Sequence, residues 1–300
     1  MGAGAIGSLF GGYLQESGQD VVLIGRSWHI DPIIKNGLIL VPFGSDKELN
    51  IKIEATTDPN TCGAQDLVVL TVKAYDTKKA LEDARPLIKE NYTRILCLQN
   101  GYGTENIAAD LYGRKQTLRG VTSHGAIISP GRVVHTGTGE TYIGRLDNST
   151  KVEDIIEIFN STYIKVKYAE NIQEIIWNKV LVNAAINPFG ALTNLRNGQL
   201  IEIPDILECM KDVVKEGIKV LDAHGIKLNK EKSIENAVRV AQLTAQNKNS
   251  MLQDVEKGRR TEIEYINGAI AKLGSEKGIK TPMNYLLCAL IKGLEYSKGL

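Results

Sequence analysis

The chain has 300 residues, more than one hydrophobic core usually organises, so two domains are expected. Hydrophobic residues make up 43% and charged residues 24%, and the net charge of +1 gives no electrostatic basis for binding nucleic acid or an anionic membrane. A transmembrane helix needs an apolar run of about 18 residues or more, and none exists.

The N-terminus lacks the charged and apolar regions of a signal peptide. Cys62, Cys97, Cys209 and Cys288 are scattered, with no CxxC pair and no clustered histidines, so neither structural zinc nor a disulfide framework is expected. A reducing, cytoplasmic setting fits this usage, with Cys97 as a plain core residue.

Residues 2–7 read Gly2-Ala3-Gly4-Ala5-Ile6-Gly7, a GxGxxG followed by a helical pattern through Leu9, Phe10, Tyr13 and Leu14 to Gly18. Such glycines permit a tight turn, approach of the backbone to a pyrophosphate and close packing of helix on strand. The free N–H groups and positive dipole end of the helix would hold the phosphate. A strand over 20–24 follows. The strand that precedes the first glycine of a Rossmann unit is missing, since only Met1 stands there. We expect the given start to be late by one strand, about 5–6 residues plus an initiator, because its loss would expose the ladder edges of two neighbours.

The second strand ends in Gly25-Arg26-Ser27, with no acid before Asp31. An NAD site places Asp or Glu there for the ribose 2′-hydroxyl, whereas an NADP site uses arginine for the 2′-phosphate, so Arg26 favours NADP(H). A hairpin is expected over 37–41 and 49–53. A continuous apolar strand over 66–72 leads into Lys73-Ala74-Tyr75, and a second over 94–98 ends in Gln99-Asn100-Gly101-Tyr102-Gly103. Lys73 and Asn100 thus lie at carboxyl ends of strands, where open α/β sheets bind ligands, with a turn role for Asn100-Gly101 as the competing reading. Short strands over 118–123, 132–136, 141–144 and 163–168, with a helix over 151–159, read as an antiparallel extension of the sheet. His124 and His135 lack sequence-level partners and are read as structural.

Beyond Ala169 the pattern is almost wholly helical: 172–186, 205–223, 230–246, 262–276 and 282–297. The fold class is therefore α/β, with a Rossmann-type domain over 1–169 followed by an all-helical domain over 170–300. A cleft between two such domains is a favoured place for small molecules. The first of these helices is apolar on most of its circumference, yet Lys179, Asn183 and Asn187 recur at i,i+4 steps of about 40° and form one polar stripe. Buried polar groups need partners, from loops and backbone or from a ligand. Ser250, in Asn249-Ser250-Met251-Leu252-Gln253-Asp254, either caps a helix or holds a ligand. Glu262, near the start of its helix, would be stabilised there by the dipole alone, by about 0.3–1 kcal/mol.

Together these segments resemble the ketopantoate reductases (2-dehydropantoate 2-reductases) over essentially the whole chain. The resemblance rests on the glycine motif, Thr71-Val72-Lys73-Ala74, Gln99-Asn100-Gly101 and Trp177-Asn178-Lys179 through Asn183 to Asn187-Pro188. It continues in the Asn249–Asp254 segment and in Thr261-Glu262-Ile263-Glu264-Tyr265-Ile266-Asn267-Gly268, and its chief departure is the missing first strand. It implies NADPH-dependent reduction of 2-dehydropantoate to (R)-pantoate, toward pantothenate and coenzyme A. It further implies Lys179 as catalytic lysine, Glu262 as its acidic partner, and Asn183, Asn187, Ser250 and Asn100 at the substrate. Gly2, Gly4, Ala5, Ile6, Gly7, Arg26, Lys73 and Asn100 would hold NADP(H), and no metal is implied. Alternatives are a reductase of the same fold for another branched 2-oxo acid and a non-catalytic NADP(H) sensor. The helical domain leaves room for a homodimer, although no surface stripe compels one.

Overall fold

The computed structural model describes residues 1–300, which divide into two compact units. The N-terminal unit comprises Met1–Gln99 and Thr104–Ile172, and the helical unit Asn100–Gly103 and Gln173–Leu300. A short segment from the middle of the α/β half thus groups with the helices.

The N-terminal unit runs α1 (Ala5–Glu16), β1 (Val22–Ile24), α2 (Ser27–Asn36), β2 (Leu38–Val41), β3 (Leu49–Ile51), β4 (Glu54–Thr56), β5 (Leu67–Leu70), α3 (Thr77–Asp83), β6 (Arg94–Cys97), α4 (Thr104–Tyr112), β7 (Thr117–Thr122), β8 (Gly125–Ser129), β9 (Arg132–Gly137), β10 (Thr141–Arg145), α5 (Glu153–Ser161) and β11 (Val166–Tyr168). Strands β5, β6 and β7 are parallel, β10 runs antiparallel to β7, and β11 completes this sheet parallel to β10. β1 and β4 form a separate parallel pair. Residues 1–3 bond to the carboxyl ends of both β1 and β5. The Met1 amine donates to Val69 O at 2.9 Å and Thr71 N–H to Met1 O at 3.0 Å, while the Gly2 and Ala3 N–H groups both donate to Ile24 O at 2.9 Å.

A third sheet has the order β3-β2-β9-β8. Strand β9 therefore does not extend the main sheet antiparallel, as its sequence suggested, but pairs parallel with β2. The reason lies in α1. Every residue from 8 to 14 is buried, which a helix lying on one layer does not achieve. At Gly11 a Cβ would come within 2.6 Å of Leu23 in β1, and at Gly12 within 2.7 Å of Leu40 in β2. Adjacent glycines thus let strands approach the helix on two sides, and the second sheet covers a face that one layer would leave wet.

The helical unit contains α6 (Ile172–Thr193, all but its first residue), α7 (Asn197–Glu202), α8 (Pro204–Ala223), α9 (Lys230–Leu243), α10 (Ser250–Glu256), α11 (Asn267–Glu276) and α12 (Pro282–Ser297). No helix of the protein is long and apolar enough to cross a membrane. Helix α9 ends before the expected residue 246 because the carbonyls of Ala245 and Asn247 turn to accept the N–H groups of Gly198 and Asn197, at 3.1 Å each, at the start of α7. The helix expected from residue 262 is split: a single 3₁₀ turn over Ile263–Tyr265 ends at Ile266 (φ −111°, ψ −93°), and α11 starts only at Asn267.

Helix α6 continues past Ile186 through Pro188, where an interior proline removes an N–H and strands the carbonyl four residues back. That carbonyl belongs to Ala184, and Asn267 Nδ2 donates to it at 3.1 Å. Asn267 also donates to Asn284 Oδ1 at 3.1 Å, and Asn284 Nδ2 donates to Glu216 Oε2 at 2.8 Å. The Glu216 carboxylate in turn accepts the first-turn N–H groups of Met283 and Asn284 in α12. All of Ala184, Asn267 and Asn284 are fully buried. Asn267→Leu is expected to cost about 1–3 kcal/mol, the penalty for an orphaned buried carbonyl. Urea unfolding measures it, and a loss below about 0.5 kcal/mol, within surface-mutation scatter, would show that Pro188 needs no such donor.

Candidate active site

In the N-terminal unit the glycine turn is built from close contacts. Gly2 has φ +94°, and a Cβ there would lie 2.5 Å from Val72 N. At Gly7 a Cβ would lie 2.4 Å from Gly2 O and 2.5 Å from Thr71 Oγ1, the hydroxyl that donates to Gly2 O at 2.7 Å. Gly4 differs. Its φ of −86° and ψ of −161° suit any residue, and a Cβ would meet only Gly2 O at 3.9 Å. The protein itself does not require glycine there, whereas a ligand resting on the turn would. Gly4 precedes Ala5, Ile6 and Gly7 in the first turn of α1, which has no side-chain cap and no acidic residue. Open N–H groups and a positive dipole end make a donor set for an anion such as a pyrophosphate.

Arg26 directly precedes α2, with its side chain 80% exposed and Nη2 3.6 Å from Asp76 Oδ2. So exposed a pair is worth about 0–1 kcal/mol and leaves the guanidinium available to a phosphate. Lys73 precedes the 3₁₀ turn Ala74–Asp76 after β5. That turn is tied down by Thr77 Oγ1, which donates to Ala74 O at 2.7 Å and accepts from Gln99 Nε2 at 3.0 Å.

In the helical unit the polar stripe of α6 takes shape around Lys179, whose Nζ donates to Asn100 Oδ1 at 2.9 Å. Asn183 is partly exposed, Asn187 is buried, and both lie on the same helix as Lys179. Asn100 is presented by a docked turn. Gly101 has φ +81° and sits where a Cβ would come within 2.6 Å of the Tyr265 backbone; Tyr102 N–H donates to Tyr265 O at 2.9 Å. The Tyr102 ring packs 4.4 Å from that of Trp177. The Asn100-Gly101 turn does not exclude a ligand-facing role, since the turn presents the amide to Lys179.

The cap of α10 is Asn249, which accepts from Leu252 N–H at 3.0 Å, while Ser250 is exposed in the first turn. Of the two readings of Ser250, capping passes to its neighbour. Glu262 is buried and precedes the 3₁₀ turn rather than sitting in the first turn of α11, so the dipole of that helix does not account for it. Asn249 was overlooked as the cap, although Asn followed by an apolar run is itself a start signal.

His124 and His135 pair with each other, Nδ1 to Nε2 at 2.9 Å, and His135 Nδ1 lies 3.1 Å from the Tyr13 hydroxyl. Burial, then His135 itself, pushes His124 down to about 4; burial also lowers His135 and raises Tyr13 to about 12. His29, held against Ser8 Oγ at 2.9 Å, is lowered for the same reason. No group of three or more His, Cys, Asp or Glu is placed to hold a metal. These histidines bind protons more tightly unfolded than folded. Their contribution to stability is thus complete above an unfolded value of about 6.5 and is lost as pH falls toward the His124 value of about 4. Urea midpoints between pH 7 and 4.5 should fall less steeply for His124→Gln than for the parent; parallel slopes would contradict this.

The family model described as Ketopantoate reductase PanE/ApbA matches residues 1–148, and that of its C-terminal region matches residues 171–295. The 2-dehydropantoate 2-reductase of Pyrococcus abyssi is 40% identical over 303 residues, covering 100% of this chain and 98% of the relative. The crystal structure of a PanE/ApbA family ketopantoate reductase from Ralstonia eutropha JMP134 superposes with a TM-score of 0.92 at 30% identity, covering 100% and 98% of the two chains. The ternary structure of a D-mandelate dehydrogenase with NADH and anilino(oxo)acetate gives a TM-score of 0.94 at 28% identity, with the same coverage.

Proposed function

Because the chain belongs to the ketopantoate reductase family, its reaction is the reduction of 2-dehydropantoate to pantoate, and we propose that it depends on NADPH, with Lys179 as the general acid. The observation that carries this reading is the bond from Lys179 Nζ to Asn100 Oδ1, on a helix stripe continued by Asn183 and Asn187.

A dihydronicotinamide, when bound, would supply the hydride for a new C–H bond at the ketone carbon. As that bond forms, the carbonyl π electrons move to oxygen, where an ammonium stabilises the growing charge and donates a proton. Lys179 is held for this by its bond to Asn100, and it regains its proton from solvent after turnover. Asn183, Asn187 and Ser250 supply donors suited to the substrate carboxylate and hydroxyl. Glu262, a buried carboxylate, accepts from the substrate hydroxyl. The product is the alcohol: the ketone carbon gains the hydride and its oxygen the Lys179 proton, while the carbonyl π bond, one ammonium N–H bond and the donor C–H bond of the dihydronicotinamide are broken.

For the cofactor, the uncapped first turn of α1 and the unforced glycine at position 4 support a pyrophosphate site. The exposed Arg26, where an NAD site would carry an acid, supports the 2′-phosphate of NADPH. Acceptance of other branched 2-oxo acids beside 2-dehydropantoate takes support from the likeness to the D-mandelate dehydrogenase, whose ternary structure holds NADH and anilino(oxo)acetate.

NADPH oxidation with 2-dehydropantoate tests the cofactor, and the same assay with other branched 2-oxo acids measures the substrate range. Lys179→Ala is expected to lower kcat by about two to four orders of magnitude, with NADPH affinity nearly unchanged; near-normal turnover would exclude it as the acid. Arg26→Ala should erode the preference for NADPH over NADH in kcat/KM, and an unchanged ratio would remove its role.

A further inference from the structure

Arg119 lies in β7 with only 2% of its side chain exposed, against a Glu105 that is fully buried. Its Nε is 3.2 Å from Glu105 Oε2. Nη1 donates to Cys97 O at 2.8 Å and to Gly120 O at 2.7 Å, and Nη2 donates to Gln99 O at 2.9 Å. A buried ion pair is a poor source of net stability, because desolvation offsets its attraction and apolar residues of the same size often serve as well. Its placement is what needs explaining.

Gln99 is the last residue of the N-terminal unit before the chain departs as Asn100–Gly103, and Thr104 is where it returns. Arg119 donates to the carbonyl directly before Asn100 on one side of this excursion, and on the other it is ion-paired, without a hydrogen bond, to the carboxylate of the residue after Thr104. One rigid planar group therefore sets both ends of a four-residue segment whose first side chain holds Lys179. Gln99 reinforces the near end through its bond to Thr77. A lysine could not span these acceptors, since it lacks the fork of five fixed donors.

We propose that Arg119, paired with Glu105, is a positioning residue for the reduction, acting through Asn100 to place the Lys179 ammonium; this rests on the reading of Lys179 as the acid. The test is a mutant cycle in the full chain, scored by kcat and by KM for NADPH. Arg119→Met/Glu105→Leu keeps the volume apolar and should lower kcat about 10–100-fold, the effect of misplacing a reacting group by about 1 Å, with KM nearly unchanged. In an Asn100→Ala background, where kcat is already low, the same pair should lower kcat further by less than about twofold. Arg119→Lys, which keeps the charge without the fork, provides the same cycle should the apolar pair fail to fold. Equal losses in both backgrounds, or none in either, would overturn the proposal and leave Lys179 as the acid untouched. Full activity of Asn100→Ala would also overturn it, whereas the reading of Lys179 as the acid falls only if Lys179→Ala keeps near-normal turnover.

Discussion

The helical unit depends on one constraint: α6 is a buried apolar helix, and each polar group placed on it must find a partner. Two such groups carry opposite consequences. The Ala184 carbonyl, stranded by Pro188, is a liability and is answered inside the protein by Asn267, Asn284 and Glu216. Lys179 is answered by Asn100, whose amide oxygen accepts from its Nζ, the arrangement on which the proposed acid role rests. Continuing the helix through Pro188 carries Asn187 on the same rigid element as Lys179. A site on a helix of 22 residues holds its geometry better than one on loops.

The N-terminal unit spends glycine for two distinct purposes, which sequence alone does not separate. Gly11 and Gly12 serve packing, because Leu23 and Leu40 occupy the space a side chain would need. Gly2 and Gly7 serve the turn, because Val72 and Thr71 close against them. Gly4 serves neither purpose, and the space above it is the part of the turn that a ligand can use.

Local pattern made much of this legible. The helix periodicity of residues 172–186, the apolar strands at β5 and β6, and the Thr281-Pro282 start of α12 all express short-range chemistry. What could not be read depends on distant partners. Helix α6 runs on through Pro188, and the donor that answers the freed Ala184 carbonyl lies 83 residues from that carbonyl in the chain. β9 reads as an ordinary amphipathic strand, and its assignment to the second sheet follows from how α1 is covered. The Glu262 helix was broken by Ile266, a residue with good helix periodicity and nothing local to mark the break. The polar stripe itself was visible, whereas its acceptor at Asn100 came from a turn whose docking on Tyr265 has no local signature.

The excursion Asn100–Gly103 shows why such a turn needs support at its tip and its base. A glycine with φ +81° and a single backbone bond from Tyr102 to Tyr265 set the direction of the tip. They do not determine where Asn100 begins, because a flexible base would let the amide swing while the tip stayed docked. At the base, a guanidinium holds three carbonyls and faces a carboxylate. Water cannot compete for these bonds in a dry interior, and rotation of any one acceptor would break a charge-assisted bond. The cost of burying two charges is then the cost of one fixed peptide, and that peptide is the one bonded to Asn100.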